Sequence, residues 1–449
     1  RPAATTARQP DEAPASRPVT VFLCGDVMTG RGIKQVLPHP SRPQLHEPYV
    51  TDARRLPTGT AERWAPPARS PALPENRGPG VERSIMMPSP LPILTPPGLA
   101  AIWHLYERLD EARRRQGRRL DALGFGPRER PSRVVLQQPG LTLKGYGEPT
   151  RTGPVILLVP APIKRAYIWD LAPGASVVEQ CLSREARVYL LHWEEPQPAF
   201  GLADYADRFL RACADAISAE TGQERLFLVG HSLSGVLAAI FAALYPARLH
   251  GLVLLTAPLH FDLTGEAGRL GPVIAAVARS GLLEALPGNL PGSVLSLTSF
   301  LAAPTTFGRD RLVDWLQSWP DDDAVKTHLR VERWSLDELP LARRLVVEIV
   351  QHLYREDGFL RGTLAVGRQT AAARAVVTPV LMVADRRCRI VPPAAILPFR
   401  EVAGAVDQRL LWYPGDVGVA LQHLGVLIGH NARRQIWPEI LRWIAAHHR

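Results

Sequence analysis

The chain has 449 residues, with 46% apolar and 21% charged side chains and a mean hydropathy of −0.04. That composition supplies a large buried core and excludes a disordered or fibrous protein. The formal charge of +10 is mostly arginine, the lysines being Lys34, Lys144, Lys164 and Lys326 alone, which argues for a compositional habit and against a nucleic-acid surface.

In chain order, the first 98 residues hold 19 of the 43 prolines. Residues 1–17 read as disordered and 53–97 as a Pro-rich linker, since aperiodic polar sequence cannot bury enough surface to offset its chain entropy. Between them, Val19 to Gly32 reads as a buried strand ending in the turn Gly25-Asp26. Ile102, Leu105, Tyr106, Leu109 and Ala112 then recur at helical spacing. On that helix Arg113, Arg114, Arg115, Arg118 and Arg119 form a basic cluster, read as a solvated face, with an anion or partner contact as the alternative.

From Val155 onward, short apolar runs alternate with helix-like stretches. The runs are 155–159, 188–193, 226–229, 252–255 and 380–383; the helices are 205–218, 236–245 and 438–446. Continuous apolar runs fit strands buried on both faces, and their alternation with helices implies a doubly wound, mostly parallel sheet. The interval from Leu259 to Thr378 breaks the alternation with amphipathic pieces such as 311–318 and 341–354, so a helical cap is expected at about 260–375. The longest apolar run, Val236 to Tyr245, is about half of the ~18 residues a spanning helix needs. No membrane anchor is expected. Cys24, Cys181, Cys213 and Cys388 are irregularly spaced, which fits a reduced compartment. No apolar leader segment follows Arg1, so a cytoplasmic location is expected.

The most informative stretch is Arg225-Leu-Phe-Leu-Val-Gly230-His231-Ser232-Leu233-Ser234-Gly235, followed by an apolar helix. A strand, a small-residue turn around a serine and a helix make a nucleophile elbow, which holds the hydroxyl above the sheet. The helix N-terminus supplies the Leu233 N–H where an oxyanion would form. Ser234 stands where the usual motif has glycine. The base is expected downstream, at His423 in Gln422-His423-Leu-Gly425, with His430 as the alternative. His231 is expected to pack or donate beside the site. Asp385 is the carboxylate expected to orient the base; Asp262 and Asp416 are the other positions.

Leu158-Val-Pro160-Ala161-Pro162-Ile163, Tyr167-Ile168-Trp169-Asp170-Leu171, Val188 to Trp193, the elbow, Ile390-Val391-Pro392 and Gln422-His423 together resemble the poly(3-hydroxyalkanoate) synthases of the PhaC type. The likeness covers about residues 90–449 and implies an α/β-hydrolase fold over 98–449, with Ala161 to Ile163 completing the oxyanion hole with Leu233. Two departures stand out. The polymerases have cysteine as nucleophile, where this chain has Ser232, and an aspartate where this chain has Cys388. Thiolate chemistry suits repeated thioester transfer, whereas serine forms an oxygen ester better matched to hydrolysis.

A second likeness covers residues 18–52 only. Leu23-Cys-Gly25-Asp26-Val27-Met28 through Gly32, with His39 and Glu47-Pro48-Tyr49, resembles the opening of the CapA poly-γ-glutamate capsule proteins. There the Gly-Asp aspartate would be a metal ligand, but the remaining ligands come from a whole domain. A truncated remnant is expected, and no metal site.

The expected function is therefore a serine acyl hydrolase or acyltransferase with Ser232, His423 and Asp385. It requires no cofactor, coenzyme A entering only as part of an acyl-CoA substrate. An acyl ester or acyl-CoA is the expected partner, with a polyhydroxyalkanoate granule or a second copy of the chain as further candidates; neither nucleic acid nor membrane is. Polymerisation proper and a non-catalytic granule- or partner-binding protein are the alternatives. Leu282, Leu283, Leu286 and Phe300 of the cap would line the acyl pocket.

Overall fold

The apolar runs form the middle of one eight-stranded sheet in a computed structural model, which describes residues 44–47, 50–52, 96–148, 152–265, 267–280 and 287–448. The strands are β1 (Ser132–Gln138), β2 (Leu141–Tyr146), β3 (Val155–Val159), β4 (Arg187–Trp193), β5 (Leu226–His231), β6 (Leu249–Leu255), β7 (Val380–Ala384) and β8 (Gln408–Trp412). They lie side by side in the order β8-β7-β6-β5-β3-β4-β2-β1. Every neighbouring pair from β4 to β8 is parallel, while β2 runs antiparallel to both β1 and β4.

Alternate residues of the central strands feed two cores. Leu157, Val159, Leu228, Leu252, Leu254 and Met382 pack under helices α2 (Phe209–Thr221) and α3 (Leu233–Leu244). Ile156, Leu158, Val229, Val253, Leu255 and Val383 face the other way and share a core with Ile440 and Ile444 of the C-terminal helix Trp437–His447. These side chains are at most 1% exposed, and each contributes about 1.5–3 kcal/mol by burial. Coverage on both faces is why the strands are continuous apolar runs in the sequence.

Strand order reverses at β3, which has β4 on one side and β5 on the other. A crevice opens beyond the carboxyl ends of strands at such a switch point. The segments leaving β3 and β5 carry Ala161–Ile163 and Ser232.

Helices fill the interval between β6 and β7: Leu270–Arg279, Gly292–Ala302, α4 (Arg311–Ser318), α5 (Asp322–Ser335) and Arg343–Glu348. Helix α1 (Pro96–Leu120) carries the basic cluster. Arg114, Arg118 and Arg119 are exposed, but Arg113 turns inward, donating to Ser335 O at 3.0 Å and lying 3.3 Å from the Glu338 carboxylate. Among the described residues, no helix is long and apolar enough to cross a membrane.

Residues 1–87 form a unit separate from 88–449. Within the first, Gln44–Glu47 pairs antiparallel with Val50–Asp52. The strand expected at 19–32, Asp26, and the segments 1–17 and 53–95 lie outside the described residues.

Candidate active site

β5 ends at His231 and α3 begins at Leu233, so the chain turns at Ser232, where φ is 57° and ψ is −129°. A non-glycine residue in this region is strained by about 1–3 kcal/mol. Packing enforces the conformation. The Ser232 N–H donates to Leu255 O at 3.0 Å, and the Gly235 N–H donates to Ser232 O at 2.9 Å. A Cβ at Gly230 would stand 2.6 Å from Ser234 O, and one at Gly235 would stand 2.3 Å from the Ala257 Cβ. Both glycines are therefore required by contact.

Ser234, at the position where glycine is usual, is fully buried. Its Oγ accepts the His231 N–H at 3.1 Å and shares its proton between His231 O, at 2.8 Å, and Val159 O. The substituted hydroxyl thus ties the elbow to the end of β3. The Leu233 N–H opens the helix, where no intrahelical carbonyl precedes it, so it faces outward with the positive end of the helix dipole.

His423 lies in the first turn of helix Gln422–Ile428, after the loop that leaves β8. Its ring is buried, and Nε2 has no hydrogen-bond partner among the described residues. Burial drives its pKa well below the usual histidine range, with His231 nearby adding to the shift, so a neutral imidazole is the form present at pH 7. His231 stands with its ring centroid 4.6 Å away, donates from Nε2 to His423 O at 2.9 Å, and is itself pushed down to about 4 by burial. It buttresses His423. His430 is exposed, with its ring nitrogens 3.2 Å from Arg433 Nη2 and 3.5 Å from Arg434 Nη1.

The Nδ1 side of His423 meets sulfur. Cys388 Sγ lies 3.6 Å from Nδ1 and also accepts the Val391 N–H at 3.4 Å. Burial pushes the Cys388 thiol up to about 11, against backbone N–H groups of Val391 and Ile390 that would lower it. The thiol is therefore neutral at pH 7.

The contact expected between Asp385 and His423 is not formed. Asp385 directly follows β7, and the turn it opens, closed by Cys388 N–H to Asp385 O at 3.3 Å, aims residue 388 at the histidine instead. Asp385 accepts the Arg387 N–H at 2.8 Å, and its buried Oδ2 has no partner among the described residues. The other carboxylates are engaged elsewhere. Asp262 closes its own turn on the N–H groups of Thr264 and Gly265, both at 2.6 Å. Asp416 accepts from Tyr413 Oη at 2.7 Å and from Asn431 N at 2.8 Å.

Ala161 to Ile163 follow β3 directly, and Ile163 O accepts the Leu339 N–H at 3.2 Å. Lys164 then donates to Glu338 at 3.0 Å and to Ser335 O at 2.7 Å, fastening this loop to the insertion. Phe300 sits on helix Gly292–Ala302, whereas Leu282, Leu283 and Leu286 lie outside the described residues. Among the described residues, no cluster of His, Cys, Asp and Glu could hold a metal ion.

A family model of the α/β-hydrolase fold matches residues 92–273. The chain has the α/β-hydrolase fold. It is 26% identical over 320 residues to the poly(3-hydroxyalkanoate) polymerase subunit PhaC of Haloferax mediterranei, covering 70% of this chain and 64% of that protein. The corresponding subunit of Allochromatium vinosum is 26% identical over 321 residues, 70% of this chain and 88% of that protein. The chain thus spans just under two thirds of the first relative and most of the second. Separately, a probable polyglutamine synthesis accessory protein of Mycobacterium tuberculosis is 66% identical over 35 residues, 8% of this chain and 9% of that protein. This supports the likeness of 18–52 to the capsule proteins. Cys388, set apart in the sequence as a departure from the resembled family, is the residue that meets His423 Nδ1, a contact that follows from the turn and not from the spacing.

Proposed function

We propose that this α/β-hydrolase is a serine acyl hydrolase or acyltransferase acting on (hydroxy)acyl esters or acyl-CoA thioesters. The observation that carries the reading is Ser232 held at φ 57° on the elbow, with the unpartnered Nε2 of a neutral, buried His423 as its base. Ser232 Oγ attacks the carbonyl carbon while its proton passes to His423 Nε2; the tetrahedral oxyanion takes the Leu233 N–H and an N–H of the Ala161–Ile163 loop. Collapse expels the alcohol or thiol, which recovers the proton from His423, and leaves an acyl ester on Ser232. Water or an acceptor hydroxyl then repeats the sequence. Cys388 contacts the far side of the imidazole, the place where a serine hydrolase ordinarily has a carboxylate.

The buried free thiols Cys181, Cys213 and Cys388 support a reducing, cytoplasmic setting. A fluorophosphonate probe labels the wild type and not Ser232→Ala on this reading; equal labelling of both removes the assignment. With a 3-hydroxyacyl-CoA series, CoA release with free acid marks hydrolysis, and CoA release with oligomer marks polymerisation. The neutral thiol at His423 favours one other reading, a non-catalytic protein that binds granules or a synthase. Absent turnover and absent labelling, with retained granule binding, would select it.

A further inference from the structure

The loop that delivers His423, residues 413–421, is conformationally expensive. Gly415 and Gly418 have φ of 89° and 78°, and Ala420, which bears a Cβ, has φ of 59°. An alanine there is disfavoured by about 1–2 kcal/mol, so something outside the loop must hold it. The holder is a carboxylate of the inserted helices. Asp314 on α4 is 6% exposed; its Oδ1 accepts the Gly418 N–H at 2.9 Å and its Oδ2 accepts the Ala420 N–H at 2.8 Å. One anion thereby grips the two left-handed residues nearest the histidine. Charge-assisted bonds of this kind are about twice as strong as neutral ones.

Asp314 is itself fixed. His328 on α5 donates from Nδ1 to Asp314 Oδ2 at 2.9 Å, and its other nitrogen lies 3.4 Å from Glu332, which pairs with Arg311. The Trp315 ring covers the imidazole, with centroids 4.9 Å apart. The space is also closed, because a Cβ on Gly418 would stand 2.8 Å from the Ala324 Cβ. A serine hydrolase needs none of these groups at the reacting atoms. They lie far along the chain from the loop they grip, and they belong to the segment inserted between β6 and β7.

We infer that Asp314 is a positioning residue for His423: from the inserted helices it holds the strained 413–421 loop in the conformation that presents the imidazole to Ser232. This rests on the reading of Ser232 and His423 as nucleophile and base. It also makes the inserted helices part of the catalytic apparatus, since displacing α4 would release the base.

The test uses the full chain and two readouts, hydrogen exchange of the peptide covering residues 414–422 and the rate of fluorophosphonate labelling. In Asp314→Asn the amide nitrogen must face one of two N–H donors. Exchange of that peptide rises and labelling slows tenfold or more, with the apparent probe affinity unchanged. Ala420→Gly in the Asp314→Asn background relaxes φ and restores part of the rate, which a general loss of stability would not do. If Asp314→Asn does not fold, His328→Gln, which keeps both loop acceptors, shows the same pattern at smaller amplitude. Unchanged exchange in the folded variant overturns the inference. So does faster exchange with unchanged labelling. Absence of labelling in the wild type overturns the Ser232 reading instead, and the exchange arm still decides whether Asp314 holds the loop.

Discussion

Replacing Cys388 by aspartate should accelerate the reaction. The structure has kept the receiving geometry for an anion at this position: the Val391 N–H points at Sγ at 3.4 Å, and His423 Nδ1 lies 3.6 Å away. A carboxylate oxygen reaches one bond farther from Cβ than sulfur, which brings it toward the range of about 2.7–2.9 Å typical of a charge-assisted N–H···O bond. When Ser232 gives up its proton, His423 becomes an imidazolium. Unit charges at the present separation of 3.6 Å attract by about 4–5 kcal/mol at an effective dielectric of ~20. Burying the carboxylate at a site 4% exposed removes part of that, leaving about 2–4 kcal/mol, or roughly 30- to 1000-fold in rate. The assay is the pseudo-first-order rate of fluorophosphonate labelling, alongside p-nitrophenyl ester turnover. The carboxylate also favours the charged imidazole, so the acid limb of the pH–rate profile, which lies below the usual histidine range in the wild type, moves upward. A folded Cys388→Asp protein with an unchanged or slower rate would refute the argument that the missing charge limits His423.

Ser232→Gly abolishes labelling yet raises stability by about 1 kcal/mol, because glycine occupies φ 57° without strain; urea titration measures it, and a loss of stability would show that the elbow is not strained. Ser234→Ala removes the hydroxyl shared by His231 and Val159, costing about 1–3 kcal/mol and slowing turnover, and a neutral result in thermal unfolding would contradict this. His231 is buried neutral with a pKa of about 4, against roughly 6.5 in an unfolded chain, so between those values the unfolded state binds the extra proton. Its contribution is complete above pH 6.5 and is lost as pH falls toward 4, by about 1.4 kcal/mol per unit. His231→Gln, which can still donate to His423 O, should flatten that slope in denaturation measured from pH 7 to 4.

What the sequence revealed depended on how completely an element is enclosed. β3, β5, β6 and β7 are apolar on both faces and stand out as uninterrupted runs. The edge hairpin β1–β2 does not, because no residue of β1 is buried, Ser132, Val134 and Gln137 are exposed, and the strand carries Arg133, Gln137 and Gln138. In the site, the elbow conformation at Ser232 was legible because strand, small-residue turn and helix are contiguous, and the placement of His423 because its loop follows a strand. The orienting group was not legible from carboxylate position alone. Which residue of 385–388 faces the histidine is decided by a backbone turn, and that turn spends the Asp385 carboxylate on the Arg387 N–H.

The same turn sets a neutral group against the Nδ1 side of His423. His231 at about 4, Cys388 at about 11 and His423 shifted downward are all uncharged at pH 7. On the proposed mechanism the developing alkoxide meets backbone dipoles, the Leu233 N–H and the helix behind it, while the imidazolium forming on His423 faces a neutral thiol at Nδ1. On the proposed mechanism the serine and the thiol act together. Serine is a weaker nucleophile than cysteine near neutral pH and depends more on its base, and the proposed base meets a thiol where a serine hydrolase ordinarily has a carboxylate. On the proposed mechanism residue 388 acts on the proton transfer at His423, so Cys388→Asp changes kcat and leaves KM nearly unchanged.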